Sequence, residues 1–455
     1  MEGIIPNENA DWLKQRDESF SNFVVLGEKK TDALKVFETY TLGVVTNRDA
    51  WCYNPSKEQV AGAMRRMIRF YNDEVARFDQ AHPGLDKKAR QQKIDNFIDN
   101  DPTKIKWTRG LKNELAAGKQ FEFEAACLTP GIYRPFNKQW LYFNRQFNEM
   151  VLQMPRFFPG FGSENIVMGF SSSESRSAFS VFITDHLASL HAVDMVGSQY
   201  FPLYLYEQTD EAREGELFSE GASVSPNSYT RRDAITDAGL AHFQAAYPEQ
   251  GEGSAITKED LFYYIYGLLH SPEYRSRYAD NLGKELPRIP AVKQFADFRA
   301  FSQAGRELAH WHLDYETVAI HPGATLDSGK TPLNALTPDD YRVTKMKFAK
   351  RKDPDTGKSV ADKTTVIYNP KITIRNIPLE AYDYVVNGKP ALEWVMERQA
   401  VTTDKASGIV NDANLWATET MGNAKYPLEL FLRVITVSLE TMRIVNGLPK
   451  LELPE

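Results

Sequence analysis

The chain has 455 residues, of which 42% are hydrophobic and 25% are charged, and its formal net charge is −7. This length allows a large buried core and predicts two to three domains or one composite domain. Because the overall charge is negative, a nucleic-acid-binding role cannot rest on global attraction and needs a local basic patch.

Cysteine usage and the shortness of the apolar runs set the expected environment. Cys52 and Cys127 are the two cysteines and form no CxxC pair, which fits a reduced cytoplasm and argues against a structural zinc site. Residues 1–12 contain neither a basic nor an apolar stretch, so we expect no secretion signal. The most apolar run, residues 261–269, is too short to span a bilayer. We therefore expect a cytoplasmic protein without a membrane partner.

The first part of the chain predicts short strands followed by a long helix. Residues 37–53 contain β-type runs around a turn at residues 46–49. Ser56, with Gln59 three residues later, is typical of a helix N-terminus, and apolar side chains then recur with helical spacing as far as Phe78.

Residues 121–147 predict a strand pair in which aromatic and basic side chains are interleaved. Tyr133 and Trp140 lie among Arg134, Lys138 and Arg145, a pattern that suits contact with nucleic acid. The same pattern is typical of a strand pair with one solvated face, so both interpretations stay open. Further along, residues 181–186 and 201–206 predict core strands, and residues 207–253 predict a polar surface insertion.

Residues 256–290 predict a buried helical hairpin at the centre of the fold. Thr257 can cap a helix whose residues 261–269 leave no polar face, and a helix that is apolar all round must be buried. Ser271 and Pro272 restart the chain as N-cap and first helical residue, and Gly283 ends the second helix. The pattern indicates architecture and names no activity.

Residues 341–375 predict a long antiparallel hairpin with its turn at residues 353–357. This segment holds ten Lys or Arg and three Asp, a net charge of +7, so the remaining chain carries −14. A two-stranded basic ribbon can enter a major groove or clamp phosphates, and Lys345 and Lys347 would alternate onto one strand face. The alternative is a solvated, flexible hairpin. Pro427 then starts a final amphipathic helix that ends at Asn446.

Residues 158–162 match the F-x-G-x-G form of a methyltransferase loop for S-adenosylmethionine. Such a loop needs a hydrophobic strand before it, and Pro155 interrupts any central strand there. The Asn/Asp-Pro-Pro-Tyr/Phe loop of an amino-methyltransferase has no counterpart, since the chain offers only Asn54-Pro-Ser-Lys and Asn369-Pro-Lys-Ile. We therefore interpret the motif as a glycine-rich turn.

Other catalytic signatures are absent from the sequence. It contains no GxxxxGK[ST] phosphate loop and no GxSxG nucleophile turn. His186 and His191 are five residues apart and fall on different helix faces, whereas His310 and His312 would converge only on a strand and lie in a helical context. The sequence therefore predicts no catalytic residue and no metal site.

Several stretches spread over nearly the whole chain resemble one family. They include TLGVVTNRDAWCYN (41–54), IYRPFNKQWLYFN (132–144), FPLYLY (201–206), residues 256–290 and LEWVMERQAVTTDKASGIVNDANLW (392–416). In these stretches the chain resembles the C-terminal target-recognition (specificity) domain of type ISP restriction-modification enzymes. The order of the stretches along the chain is also that of the family.

The resemblance implies a DNA-reading module that is not an enzyme by itself. In that family a nuclease, a helicase-like ATPase and an adenine-N6 methyltransferase precede this region, which reads a short asymmetric site so that methylation or translocation-coupled cleavage can follow. Double-stranded DNA and those domains are thus the implied partners. S-adenosylmethionine, ATP and Mg²⁺ would serve the other domains, with no cofactor for this chain. Their motifs are missing here, so we expect either a fragment or a separately encoded specificity part.

The expected fold class is α+β: a composite target-recognition domain with mixed and antiparallel sheet segments, a central buried helical hairpin and a long basic β-hairpin. We divide it into a helix-rich entry region adjoining the missing methyltransferase (1–120), a β-rich recognition part (121–255), a central helical part (256–320), and the basic hairpin with C-terminal helices (321–455). Candidate DNA contacts follow from charge and placement. They are Asn47, Arg48, Arg134, Lys138, Arg145, Arg176, Lys345, Lys347, Lys350, Arg351, Lys352, Lys371 and Arg375.

Two other functions stay open at this point. The first is a DNA adenine methyltransferase that uses a divergent cofactor loop at residues 158–162. The second is a non-catalytic docking module that holds other domains and never reads bases.

Overall fold

A computed structural model describes residues 11, 15–160, 162–208, 229–248 and 255–454. Helices and short strands alternate along these ranges, which confirms the α+β class. The helices are α1 (Asp49–Cys52), α2 (Lys57–Ala81), α3 (Lys87–Phe97), α4 (Arg109–Ala116), α5 (Met154–Phe157), α6 (Asp237–Ala245), α7 (Lys258–Leu268), α8 (Pro272–Arg277), α9 (Ala279–Leu282), α10 (Phe295–Leu313), α11 (Ala391–Arg398), α12 (Ala413–Leu415) and α13 (Tyr426–Asn446).

The strands are short, and most have two to seven residues. They are β1 (Val24–Val25), β2 (Thr41–Leu42), β3 (Tyr53–Asn54), β4 (Leu128–Arg134), β5 (Asn137–Tyr142), β6 (Val167–Phe170), β7 (Val181–Thr184), β8 (Leu187–Ala188), β9 (Gln199–Pro202), β10 (Tyr204–Gln208), β11 (Tyr229–Asp233), β12 (Arg288–Ile289), β13 (Thr325–Asp327), β14 (Lys347–Lys352), β15 (Ser359–Ile367), β16 (Thr373–Arg375), β17 (Val385–Val386), β18 (Lys389–Pro390), β19 (Val401–Thr403) and β20 (Val410–Asp412).

Three four-stranded sheets carry most of the described β-structure. Their strand orders are β2-β9-β6-β7, β3-β5-β4-β8 and β13-β16-β15-β14. Pairing between β4 and β8 is parallel, whereas the other strand pairs in these sheets are antiparallel. The predicted mixture of antiparallel and mixed sheet segments is therefore confirmed.

The predicted helix starts are confirmed where a side chain caps the first turn. The Ser56 hydroxyl accepts a hydrogen bond of 3.1 Å from the backbone N–H of Gln59 at the start of α2. Thr257 and Asp260 form a reciprocal capping box at the start of α7. Ser271 caps α8, in which Pro272 is the first residue. The helix predicted to end at Gly283 is divided into α8 and α9 at Tyr278.

Helix α7 lies at the centre of the core, as its sequence predicts, because every residue from Asp260 to Leu268 is buried. It packs chiefly against α10 rather than against α8, the helix that follows it in the chain. Tyr264 stacks on Phe298 of α10 with ring centroids 4.4 Å apart. The tightest helix contact therefore joins α7 to a helix outside the predicted hairpin.

Strands β14 and β15 form the predicted basic hairpin, in register from Lys347 opposite Ile367 to Lys352 opposite Ser359. The Asp353 carboxylate accepts hydrogen bonds from the backbone N–H groups of Asp355 and Thr356 and so holds the turn. The first strand begins at Lys347, so the expected alternation of Lys345 and Lys347 on one strand face is wrong. Residues 338–341 instead form a short 3₁₀-helix, whose capping box begins at Thr337.

Strand pairing crosses the boundaries of the predicted chain division. Strand β1 pairs with β12 and β3 pairs with β5, so distant parts of the chain share one hydrophobic cluster. The four-part division therefore stays a prediction. Most of the predicted insertion at 207–253 lies outside the described residues, although antiparallel pairing of β10 and β11 joins its first residues, 207 and 208, to residues 229 and 230. Among the described helices, none is long and apolar enough to cross a membrane.

Candidate nucleic-acid interface

The outer half of the β14–β15 hairpin forms a two-stranded ribbon. Strand β16 pairs with β15 only at Val366 and Ile367. Residues 349–352 and the opposing residues 359–362 therefore pair with each other alone. The register shifts between Phe348 and Ala349, and such an irregularity bends and twists a strand pair. The ribbon thus projects past the edge where the four-stranded sheet ends.

Exposed cationic side chains cover this ribbon and its approach. Within the described part of the chain, no carboxylate oxygen lies within 4.0 Å of their nitrogen atoms. The nearest acidic groups hold the hairpin itself: hydrogen bonds from Thr356 lower the pKa of Asp353, and a hydrogen bond from Thr364 lowers that of Asp362. The exposed cations are Lys345, Lys347, Lys350, Arg351, Lys352 and Lys358.

The two predicted contacts on and beside β16 are neutralised by carboxylates. The Arg375 guanidinium forms an ion pair of 2.9 Å with Asp327. Lys371 pairs with Asp340, and its hydrogen bond is the main reason that the pKa of Asp340 falls to about 2. Both cations are exposed, but each is paired with a carboxylate. They therefore attract a phosphate less strongly than the unpaired cations of the ribbon.

The root of the hairpin is held in place by hydrogen bonds to the β19–β20 strand pair and α12. The backbone N–H of Val401 donates to the carbonyl oxygen of Thr344 at 3.0 Å. The Asn414 side chain exchanges two hydrogen bonds with the backbone of Val343, at 2.8 and 2.9 Å. Arg342 forms an ion pair of 2.5 Å with Asp412. These bonds fix the orientation of the ribbon root relative to β19, β20 and α12.

A cleft of about 240 Å³ lies beside β19 and β20. Three segments that are remote in the chain form its walls: residues 49–55, residues 133–139 and residues 397–411. All three belong to stretches on which the family resemblance rests. Tyr53 and Tyr133 form part of the wall, with ring centroids 4.9 Å apart.

Two of the predicted DNA contacts are buried beside this cleft. Arg48 is 3% exposed, and its Nη2 donates a hydrogen bond of 2.5 Å to the hydroxyl of Thr108. Burial lowers the pKa of the Arg48 guanidinium. Arg134 is 6% exposed and donates to the carbonyl oxygen of Tyr133. Neither guanidinium is at the surface, so a direct phosphate contact has no geometric support here.

The remaining predicted contacts do not form one patch. Lys138 forms an ion pair of 2.7 Å with Glu316, and both side chains are only 11% exposed. Asn47, which precedes Arg48, is exposed in a left-handed turn with φ of 51°. Arg145 and Arg176 are exposed on separate loops. No finding tests whether any of these side chains touches DNA, so that part stays a prediction.

The glycine-containing motif at residues 158–162 does not follow a strand. Phe158 is buried directly after α5, whose first turn contains Pro155. The motif lines an open cleft of about 640 Å³, although Phe161 lies outside the described residues. A methyltransferase needs a strand to end directly before this loop, so that the cofactor meets the backbone there. Here helix α5 occupies that position instead. The described residues contain no group of three His, Cys, Asp or Glu side chains suited to a metal ion.

Sequence reasoning missed one ribbon cation and the cleft. Lys358 directly follows Gly357 and lies opposite Asp353, whose backbone N–H donates to its carbonyl oxygen, so the hairpin register could have identified it. The cleft side chains Tyr53, Gln139 and Asn411 lie in three separate segments, and no periodic signal links them.

Comparison with known proteins gives one family. A model of the Type ISP C-terminal specificity domain matches residues 35–430. The chain is similar to a solved nuclease-deletion mutant of the Type ISP restriction-modification enzyme LlaGI in complex with a DNA substrate mimic. That match has 35% identity and a TM-score of 0.79, and it covers 99% of this chain and 36% of that chain.

Two further solved structures are similar over the same extent of the chain. One is the ATP-dependent Type ISP restriction-modification enzyme LlaBIII bound to DNA, with 33% identity, a TM-score of 0.80 and coverage of 99% of this chain and 26% of that one. The other is a DrdV–DNA complex, with 30% identity, a TM-score of 0.77 and coverage of 99% and 40%. No curated protein matches. The chain thus spans between about a quarter and two fifths of these relatives.

Proposed function

The chain belongs to the family of Type ISP C-terminal specificity domains, and we propose that it is the DNA sequence-recognition module of a Type ISP restriction-modification enzyme. In this proposal the chain selects a short asymmetric site. Adenine-N6 methylation and translocation-coupled cleavage are performed by domains of the same or a partner polypeptide. Those domains, and not this chain, would use S-adenosylmethionine, ATP and Mg²⁺.

The observation that carries the proposal is the cationic two-stranded ribbon. B-DNA has a major groove about 12 Å wide, which admits a two-stranded β-ribbon. The ribbon at residues 349–352 and 359–362 carries Lys350, Arg351 and Lys352, none of which forms an ion pair within 4.0 Å in the described chain. The neighbouring Asp353 and Asp362 carboxylates are hydrogen-bonded to Thr356 and Thr364 within the hairpin. This cluster is the local basic patch that DNA binding requires in a chain whose net charge is −7.

The proposed mechanism divides the work between two kinds of contact. Lysine and arginine side chains of the ribbon bind phosphates and set the register of the duplex, but these contacts carry no sequence information. Side chains from the aromatic-basic strands and from the elements at the root of the ribbon read base edges. The hydrogen bonds between Thr344 and Val401, and between Val343 and Asn414, hold the ribbon root against β19 and α12.

Similarity to DNA-bound relatives supports the same proposal. LlaGI, LlaBIII and DrdV were each solved with DNA or a DNA mimic, and each matches 99% of this chain at 30% identity or more. This chain spans only 26 to 40% of those proteins. That difference in length supports further domains, attached or separately encoded, as partners of the recognition module.

Selection of duplexes from a random pool by the 455-residue chain tests the proposal. We expect an enriched asymmetric motif after a few rounds. Unselective recovery of duplexes would contradict sequence recognition and favour a docking module. Saturable binding of S-adenosylmethionine by the isolated chain would favour the methyltransferase alternative at residues 158–162.

A further inference from the structure

The cleft of about 240 Å³ between residues 49–55, 133–139 and 397–411 is lined by buried polar groups that lack partners. Gln139 is 6% exposed, and its Oε1 accepts no hydrogen bond from any described residue. Tyr53 is 1% exposed, and its hydroxyl likewise has no partner within the described chain. Arg398 Nε, also at the cleft, is in the same situation. More than about nine tenths of buried polar groups in native proteins are hydrogen-bonded, so these groups indicate an occupant.

Several hydrogen-bond acceptors line the cleft, beside one guanidinium donor, that of Arg398. Asp49, Asp404 and Gln139 line it, together with Thr402 and Thr403. One oxygen of the Asp49 carboxylate already accepts a hydrogen bond from Thr46, and one of Asp404 from Ser407. The third carboxylate at the cleft, that of Glu397, is already bound by Lys389 and Arg398. Carboxylates repel a phosphate, whereas acceptors in this number suit a neutral group that donates N–H bonds.

The position of the cleft points to the source of that donor. Strand β19, which supplies Thr402 and Thr403, is bonded through Val401 to Thr344 at the root of the basic ribbon. One backbone hydrogen bond thus links the strand that lines the cleft to the ribbon root, so a duplex bound on the ribbon is the source that this position favours. The volume of about 240 Å³ is below the range of about 300–1,000 Å³ for drug-sized ligands, so it suits one ring system.

We propose that the cleft binds the edge of one nucleobase that carries an exocyclic amino group, namely adenine, cytosine or guanine rather than thymine. Gln139 is then a specificity-determining residue, because a side-chain amide can pair with adenine and a carboxylate can accept from the cytosine amino group. This inference rests on the proposed DNA-recognition function. It adds the chemical class of one base and the side chain that reads it.

The test removes the amino group from the DNA and the acceptor from the protein. In the site selected by the unchanged chain, each base is replaced singly by its analogue without the amino group: purine for adenine, hypoxanthine for guanine and 2-pyrimidinone for cytosine. We expect one position to lose about fivefold to a hundredfold in affinity. Gln139→Met, which keeps the side-chain length, should abolish that difference at the same position and leave the salt dependence of binding unchanged.

A matched variant and a second cleft variant complete the design. Gln146→Met removes an exposed amide from the loop after β5 and should leave all positions unaffected. Thr403→Val, at an exposed cleft residue, should weaken the discrimination at the sensitive position even if Gln139→Met does not fold. The inference is wrong if a motif is selected but no position in it loses affinity when its amino group is removed. It is also wrong if that loss persists in both cleft variants. The proposed function would stand in either case. If no motif is selected at all, the proposed function fails and this inference fails with it.

Discussion

Gly267 of α7 and Gly305 of α10 face each other where the two central helices cross. A Cβ atom on Gly305 would lie 3.0 Å from the backbone nitrogen of Gly267, and one on Gly267 would lie 3.1 Å from that of Gly305. Each would also overlap a facing carbonyl oxygen, that of Tyr263 or that of Phe301. The two backbones are therefore in direct contact, and neither can give way as a flexible side chain could.

The first prediction follows from this contact. Gly305→Ala should force α7 and α10 apart and destabilise the protein by about 3 kcal/mol, at the upper end of overpacking costs. Chemical denaturation followed by circular dichroism measures the change.

Gly62→Ala is the matched control, because it adds the same methyl group inside helix α2. The added Cβ would meet only the end of the Arg66 side chain at 3.5 Å. This variant should raise stability by about 0.5–1 kcal/mol, since alanine favours the helix. Equal effects of the two substitutions would show that the α7–α10 contact is not tight.

A second prediction concerns the ribbon. Lys350→Glu combined with Lys352→Glu should weaken binding to all duplexes alike, because phosphate contacts carry no sequence information. Since this variant removes two cations that bind phosphates, the slope of log K against log salt should become shallower by about 1.8. Titrations between about 50 and 200 mM salt would measure it. Lys345→Glu combined with Lys347→Glu should likewise weaken binding to all duplexes and make the salt slope shallower.

Lys87→Glu combined with Lys88→Glu makes the same charge change at exposed positions of α3. These residues lie outside the ribbon, so we expect the salt slope to stay within error of the unchanged protein. An unchanged slope in the ribbon variants would remove the hairpin from the DNA interface.

A third prediction is a loss of stability in acid that depends on His312. This side chain is 1% exposed, with Nδ1 2.6 Å from the Tyr266 hydroxyl and Nε2 2.9 Å from that of Thr441. Burial lowers its pKa to about 3. Between the unfolded pKa of about 6.5 and the folded value, the unfolded chain binds the proton more readily. Stability should therefore fall as pH decreases from about 6.5 towards about 3, by up to about 1.4 kcal/mol per pH unit from this group.

His312→Phe can keep the stacking on Tyr384, whose ring centroid is 5.1 Å away, but removes the titrating group. We expect lower stability at neutral pH, because two hydrogen bonds are removed, and a smaller decrease between pH 7 and pH 5. His270 is also buried with a lowered pKa, so part of the decrease should remain. His310→Gln, at an exposed position of the same helix, is the matched control. Urea denaturation at several pH values distinguishes these outcomes.

A fourth prediction concerns Arg48. Its Nε and Nη1 atoms have no hydrogen-bond partner among the described residues, and its guanidinium is buried. An incompletely compensated buried charge is destabilising, so its replacement by an apolar side chain of similar length removes that cost. Arg48→Met should thus raise the free energy of unfolding by about 1 kcal/mol and leave the salt slope of DNA binding unchanged.

The exposed Arg69→Met on α2 serves as the comparison, with an expected stability change below about 0.5 kcal/mol. If Arg48→Met instead makes the salt slope shallower by about 1, Arg48 contacts a phosphate directly, as its charge and position in the sequence predict.

Features that depend on neighbouring residues can be predicted from the sequence alone. The caps at Ser56 and Thr257 are predictable because a hydroxyl three residues before a free N–H satisfies it locally. Burial of α7 follows from its lack of any polar face. The turn at residues 353–357 follows from aspartate and glycine between two β-type runs. Family membership follows from stretches whose order and spacing are linear properties of the chain.

Features that depend on which distant elements meet required the tertiary structure. The apolar surface of α7 does not specify α10 as its partner, because any apolar face could cover it. Contacts such as Gly267–Gly305 and the stacking of Tyr264 on Phe298 make the choice. Arginine and lysine side chains are usually exposed at the protein surface. Arg48 and Arg134 are nevertheless buried, because elements from elsewhere in the chain cover them. The cleft at Gln139 forms only where three segments that are remote in the chain meet. The alternation of side chains along a strand shows which face each residue occupies, but not which other segments lie opposite that face.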